Sequence, residues 1–226
     1  MQSAVFKDDP SVKRDVLLWG GTGQAKLVRP ILERAGHRVG VVFDDTVGLA
    51  PPFFDVPLCH ASAWPAWLDA ADRGAWGFVV AIGNPHGAAR LRLHGMLQTA
   101  GLHPLSVVHE TAWVEPGAEV GCGLQALAFS RVAVEARLGV SVILNAHASV
   151  DHECTLGDAV ELGPAATLCG NVTVEARAWV AAGATVLPRL RVGADAIVGA
   201  GALVHRDVPA GLTVVGVPAR PLQEKR

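Results

Sequence analysis

The chain has 226 residues and a mass of 23.5 kDa, enough for one large or two small domains with a buried core. Lys and Arg number 19 against 21 Asp and Glu, a net charge of −2, which leaves neither a basic footprint for nucleic acid nor an acidic tail. Half of the residues are apolar, 5% are aromatic, Tyr is absent and Gly reaches 25, so the interior is built from Val, Ala and Leu.

No apolar run reaches the roughly 18 residues of a membrane span. Residues 1–14 carry charges but no apolar stretch, so no signal peptide is read and a flexible N-terminus is expected. Cys59, Cys122, Cys154 and Cys169 form no CxxC pair. Reduced, buried thiols in a cytoplasmic protein are the expectation.

The first half alternates strand-like and helix-like stretches. Val16-Leu17-Leu18-Trp19 is a short apolar run ending at Gly20-Gly21-Thr22-Gly23. A helix follows, with Val28, Ile31, Leu32 and Ala35 at helical spacing and Gly36 as its stop. Residues 38–43 read as a strand ending at Asp44-Asp45, and 62–73 as a helix capped by Ser62. Residues 78–82 form a buried strand ending at Gly83-Asn84-Pro85. A helix over 86–100 closes at Gly101, and 102–108 reads as a last strand. This rhythm predicts a small α/β, Rossmann-like domain with a parallel sheet over 15–108. Trp64, Trp67 and Trp76 are read as packing residues, and the loop Pro51-Pro52-Phe53-Phe54 as a possible wall of a substrate pocket.

The second half obeys a period of six. Every sixth position from 114 to 204 is Val or Leu, except Ala126, sixteen positions in register. Four residues after each stands Ala, Ser or Cys in ten cases and Val or Leu in six. A helix would repeat at 3.6 and a flat strand at 2. Six is the repeat of a parallel β-helix, with three hexads making one triangular coil of 18 residues. Residues 109–209 then form an all-β solenoid of a little over five coils, with a tail at 210–226. One aliphatic per side points inward. Gly after the aliphatic, or Asn145 and Asp151 in its place, is expected to take the strained corner turn.

The densest polar stretch is Asn145-Ala146-His147-Ala148-Ser149-Val150-Asp151-His152-Glu153-Cys154. Val150 and Cys154 are the inward pair, so His152 and Glu153 face out at a corner. A neutral imidazole there can accept a proton, and a neighbouring carboxylate can fix its tautomer. Trp179 is placed at a corner beside Val180, and His205 as a solvated residue of the last coil.

The stretch 144–158, with Gly163-Pro164-Ala165, Gly170-Asn171-Val172, Gly199-Ala200-Gly201 and Gly216-Val217-Pro218-Ala219, resembles the sugar acetyltransferases grouped with the PglD and NeuD proteins. Gly20-Gly21-Thr22-Gly23, Phe43-Asp44-Asp45 and Ala81-Ile82-Gly83-Asn84 fit the small N-terminal domain of that family. The resemblance implies a left-handed β-helix and a homotrimer that moves an acetyl group from acetyl-CoA to an amino or hydroxyl group of a sugar. It implies His152 as general base, supported by Glu153, with no metal. It places the nucleotide-linked sugar on Gly20, Gly21, Thr22, Gly23, Gln24, Asp44, Asp45, Gly83, Asn84 and Asn145. It places acetyl-CoA on Glu161, Gly170, Ala182 and Ala200. The chemistry itself asks for a donor to the tetrahedral oxyanion, and a backbone N–H such as that of Gly170 is the candidate.

His152, Gly170 and Pro188 are 18 apart and share one edge of the prism, whereas Pro164, Ala182 and Ala200 share another. Residues on two edges of one prism do not meet at one thioester, so the sites are expected between subunits. Two positions depart from the family. Gln24 replaces a His after the glycine-rich turn, and Glu161 replaces a second His nine residues after the base. That carboxylate is open to three readings: repelling CoA phosphates, serving as a base, or facing water.

Other readings compete. The first takes a hydroxyl as the acceptor group, with O-acetylation of a sialic-acid-like sugar. His147-x4-His152 matches two ligands of a γ-class carbonic anhydrase, but the third position, 111, is Thr. Gly21-Thr22-Gly23-Gln24-Ala25-Lys26 begins like GxGxxG, with Lys26 in place of the third Gly and Asp44 where a ribose-binding acid would stand. A scaffold without chemistry is the remaining reading, against which the polar corner at 145–153 speaks.

Overall fold

A computed structural model of the protein describes residues 5–6 and 12–222. The chain divides into two compact units, Asp8–Val107 and Val108–Arg226 together with Met1–Lys7. The first short strand, β1 (Val5–Phe6), pairs in parallel with Glu119–Val120 of the second unit. The rest of the expected flexible segment before 12 lies outside the described residues.

The first unit is an α/β layer structure. Its strands are β2 (Asp15–Trp19), β3 (Arg38–Asp44), β4 (Leu58–His60), β5 (Trp76–Val80) and β6 (His103–Pro104). They form one parallel sheet in the order β4-β3-β2-β5-β6. Val16, Leu17 and Leu18 on the central strand are wholly buried, as expected of a parallel strand covered on both faces. Helix α1 (Gly23–Arg34) buries Ala25, Val28, Ile31 and Leu32. Gly36, at φ +88°, closes it, with its N–H to Glu33 O at 2.9 Å and His37 N–H to Leu32 O at 3.0 Å.

The helix expected over 62–73 is broken. A 3₁₀ turn covers Ala61–Ala63, α2 covers only Trp64–Ala70, and another 3₁₀ turn covers Arg73–Ala75. Pro65 suits only a first helical turn, so α2 starts there. The cap is not Ser62: His60 Nδ1 accepts the Ser62 N–H at 3.2 Å. Helix α3 (Gly87–Thr99) matches its expected span. Residues 102–108 are two strands rather than one. After Pro104, which has no N–H for a ladder, Val107–Val108 joins a sheet of the solenoid.

The three tryptophans pack as expected, Trp64 on Trp67 with centroids 5.5 Å apart and Trp67 edge-on to Trp76 at 4.9 Å. Phe53 lies under the Arg29 guanidinium at 4.5 Å. All four cysteines are free, but only Cys154 is buried and the others are half-buried. No helix among the described residues is long and apolar enough to cross a membrane.

The second unit is a parallel β-helix. Two-residue strands stack into three parallel sheets, each strand pairing with the one 18 residues on: Arg131 with Ser149, Arg137 with Thr155 and Ile143 with Glu161. Every hexad position from Val120 to Val204 is at most 6% exposed. Fully burying one Val or Leu contributes about 1.5–3 kcal/mol, so the register is strongly determined. The stack continues past 209, where Thr213–Val215 pairs with Ile197–Val198 and then, antiparallel, with Arg220–Pro221.

The corners differ from expectation. Left-handed backbone falls three residues after each hexad position from 114 to 198, not one, and eleven of these residues are not glycine, among them Phe129, Glu135, His147, Glu153 and Asn171. The coils enforce it: Glu153 N–H bonds Val134 O at 3.1 Å and Asn171 N–H bonds His152 O at 2.9 Å, each on the previous coil. The glycine directly after the aliphatic has another purpose. A Cβ at Gly163 would lie 2.6 Å from Ala182 N, so the next coil's backbone fills that space. Trp179 is on the flat strand Trp179–Val180, not at a corner.

Candidate active site

Asp151 Oδ1 accepts the His152 N–H at 2.8 Å where strand Ser149–Val150 ends, which starts the corner. Glu153 follows at φ +60°. That turn sets Glu153 Oε2 2.9 Å from His152 Nδ1. The expected pair is therefore formed, on a backbone tied to the coils on either side. Both side chains are about half exposed, 52% and 50%, so substrate can reach them. An ionised carboxylate only accepts, so Nδ1 donates to it, and in the neutral ring Nε2 is the nitrogen that carries the lone pair.

Gly170 is one coil further along the same edge, and it is buried under the imidazole. A Cβ there would lie 2.4 Å from His152 Nε2 and 2.5 Å from Cε1. Gly170 thus seats the ring and keeps the space at the basic nitrogen open. Beside the pair runs a polar groove of about 380 Å³, lined by Gly117, Glu119, Glu135, Arg137, Glu153, Thr155 and Asn171. Sequence reasoning missed it because its members recur one coil apart and no local motif marks them.

Asn145 and Glu161 are together on another face. Asn145 Nδ2 donates to Glu161 Oε1 at 3.1 Å and to Leu162 O at 3.0 Å. Glu161 is only 7% exposed, so the reading of it as a residue facing water is corrected: it is paired and buried. Ala182 and Ala200 are exposed and occupy one edge, a coil apart. His147 stacks on Phe129 with centroids 5.0 Å apart. Among the described residues, no group of three or more His, Cys, Asp or Glu side chains is placed to hold a metal ion.

In the α/β unit, the carboxyl ends of β2, β3 and β5 frame a cavity of about 640 Å³. Gly20, Thr22, Gly23, Gln24, Asp44, Asp45, Gly83 and Asn84 all line it, together with Thr46 and His86, which sequence reasoning did not single out. Residues 51–54 do not line it. Gly20, at φ +112°, lets the turn pass against β5, since a Cβ there would lie 2.4 Å from Ala81 O. Gly21 acts through its backbone, donating to Asp44 Oδ2 at 2.6 Å, while Thr46 N–H donates to Oδ1 at 2.8 Å. Burial pushes the Asp44 carboxyl up, but these donors outweigh it and hold it below the usual range. A depressed value means the charge, and its grip on the loop, is present at neutral pH and is lost only as pH falls through that value. Asp44 thus holds the loop as well as lining the cavity.

No family model and no curated protein sequence matches the chain. Solved structures do. A point variant of GDP-perosamine N-acetyltransferase from Caulobacter crescentus, in complex with CoA and GDP-perosamine, is 33% identical with a TM-score of 0.85, covering 93% of this chain and 97% of that one. The acetyltransferase domain of PglB from Neisseria gonorrhoeae, in complex with acetyl coenzyme A, is 26% identical with a TM-score of 0.83, covering 93% and 100%. WeeI from Acinetobacter baumannii is 27% identical with a TM-score of 0.74, also covering 93% and 100%.

The hexad solenoid, its corner histidine and these matches define a hexapeptide-repeat acyltransferase of the β-helix type. The chain belongs to the sugar N-acetyltransferases of that family, the PglD/NeuD kind.

Proposed function

We propose that the protein transfers the acetyl group of acetyl-CoA to the amino group of a nucleotide-linked amino sugar, with His152 as general base. The observation that carries this reading is the His152–Glu153 pair seated on Gly170. The amine nitrogen attacks the thioester carbonyl carbon, and Nε2 takes its proton. The tetrahedral intermediate then collapses, the C–S bond breaks, and the proton passes from His152 to the departing thiolate. No covalent enzyme intermediate is needed. The complexes of the Caulobacter relative with CoA and GDP-perosamine support both ligand classes.

The α/β unit reads as a Rossmann-like nucleotide-binding domain. Its sheet order changes direction at β2, and α1 begins at Gly23 on the wall of the cavity, where a helix N-terminus suits a phosphate. Gly20, Gly21, Thr22, Gly23, Gln24, Asp44, Asp45, Gly83 and Asn84 are assigned to the nucleotide-sugar on this basis. Glu161, Gly170, Ala182 and Ala200 are assigned to acetyl-CoA, and Asn145 to the sugar. Free thiols on a chain with no disulfide suit a reducing compartment.

The test is release of free CoA thiol from acetyl-CoA against a panel of nucleotide-linked amino sugars. Turnover with at least one amine is expected. Turnover with hydroxyl acceptors alone would overturn the N-acetyl reading.

The site is proposed to be shared between copies of a homotrimer, because His152 and the Ala182–Ala200 edge are on different edges of one prism. A His152→Ala chain and an Ala182→Trp chain, each inactive alone, should regain activity when co-refolded. Absence of any recovery would overturn the shared site.

A further inference from the structure

At the C-terminal end of the solenoid, two guanidinium groups converge on one imidazole nitrogen. Arg206 Nε and Nη2 lie 3.2 and 3.1 Å from His205 Nε2, and Arg220 Nη1 lies 3.3 Å from it. A guanidinium has only donors, so Nε2 accepts and the ring is neutral, with its proton on Nδ1. That Nδ1 is buried and has no hydrogen-bond partner. The expectation of a solvated His205 is thereby corrected: the ring is a half-buried post that gathers two cations. Neither arginine has an acidic partner among the described residues. Asp207, next in sequence, turns one oxygen to the Arg191 N–H at 2.9 Å. Two like charges held side by side, with no acidic partner among the described residues, repel each other, and a bound anion removes that repulsion. The remaining N–H groups of both forks are exposed and suit phosphate geometry.

The position along the prism says which anion. Arg206 follows His152 by 206 − 152 = 54 residues, three coils along the same edge. At the strand spacing of about 4.8 Å, that is roughly 14 Å. The chain from the sulfur of CoA to its first phosphorus has as many bonds as about four residues, roughly 13–15 Å when extended. A thioester at His152 therefore brings its phosphates to the level of Arg206. Arg189, exposed at the corner one coil after Gly170, to which its N–H bonds, adds a third positive charge to the approach.

We propose that Arg206 and Arg220, held together by His205, form the clamp for the phosphates of coenzyme A. This rests on the acetyl-CoA reading above. It makes the two arginines the residues that distinguish CoA from its phosphate-free arm.

The test compares wild type with R206Q/R220Q, using acetyl-CoA and acetyl-pantetheine as donors and calorimetric binding of CoA and pantetheine as a second readout. Both arginines are exposed, so the variant keeps its core. The KM for acetyl-CoA and the Kd for CoA are expected to rise about tenfold or more, with kcat within about twofold. The values for the pantetheine compounds should stay unchanged. An unchanged Kd for CoA overturns the clamp. So does an equal rise for pantetheine, which would mean a merely structural role. Failure of the wild type to turn over acetyl-CoA with any acceptor would instead sink the acetyltransferase reading, while the CoA binding comparison still decides the clamp.

Discussion

Replacing His152 with alanine is expected to lower kcat by about 10²–10⁴-fold, the usual worth of a positioned acid–base group. At about 1.36 kcal/mol per tenfold, that is roughly 3–5 kcal/mol of lost transition-state stabilisation. The KM for acetyl-CoA should stay within about twofold, because the side chain acts on the attacking amine. The fold should be untouched, since His152 faces out of the prism: its side chain pairs with Glu153 at the surface, while its backbone is held by Asp151 and Asn171. Steady-state kinetics with the amino sugar found by the acceptor panel checks this. A variant with near-normal turnover would falsify the assignment of His152 as base.

Gly170→Ala is expected to lower kcat by about 10²-fold, the effect of a misplacement on the order of 1 Å at a reacting group. The added methyl would lie 2.4 Å from Nε2, the nitrogen that the Glu153 pairing leaves free. Gly170 is not in the left-handed region, so alanine fits its backbone and the loss is one of ring position. A double-mutant cycle separates this from a general defect. In the His152→Ala background the ring is gone, and Gly170→Ala should then do no further harm. Additive losses would mean that Gly170 acts in another way, for example through its N–H.

The solenoid was legible because its core repeats. One Val or Leu every six residues leaves a single arrangement that buries all of them, and the strand pairs fall 18 apart as that requires. The corner geometry was less legible. Glu153, His147 and Phe129 take a backbone that usually signals glycine, and they do so because the neighbouring coils hold their N–H groups. A constraint imposed by stacking leaves no local mark in the sequence. The same holds for α2, which Pro65 shortened, and for the segment 102–108, which feeds two sheets.

The site divides along similar lines. Gly20, Gly23 and Asp44 were readable from a local motif at a strand end, and they do meet around one cavity. His152 and Glu153 were readable because adjacent residues share a corner. The burial of Glu161 against Asn145, the seat of His152 on Gly170 and the meeting of Arg206 with Arg220 each depend on residues at least 14 positions apart. Only the folded coils bring these together.

A stack in which each coil touches only the coil before and the coil after does not loosen evenly. Thermal opening enters from the free ends and must pass through every intervening layer to reach the middle. His152 is mid-stack, with coils bonded above and below it, so its orientation is insulated from that fraying. His205 follows the strand Leu203–Val204 near that end, and Arg220 is in the closing strand, where the parallel ladder gives way to an antiparallel one. The stack is thus held most firmly at the level of the proposed base, and has most give at the end that carries the proposed phosphate clamp.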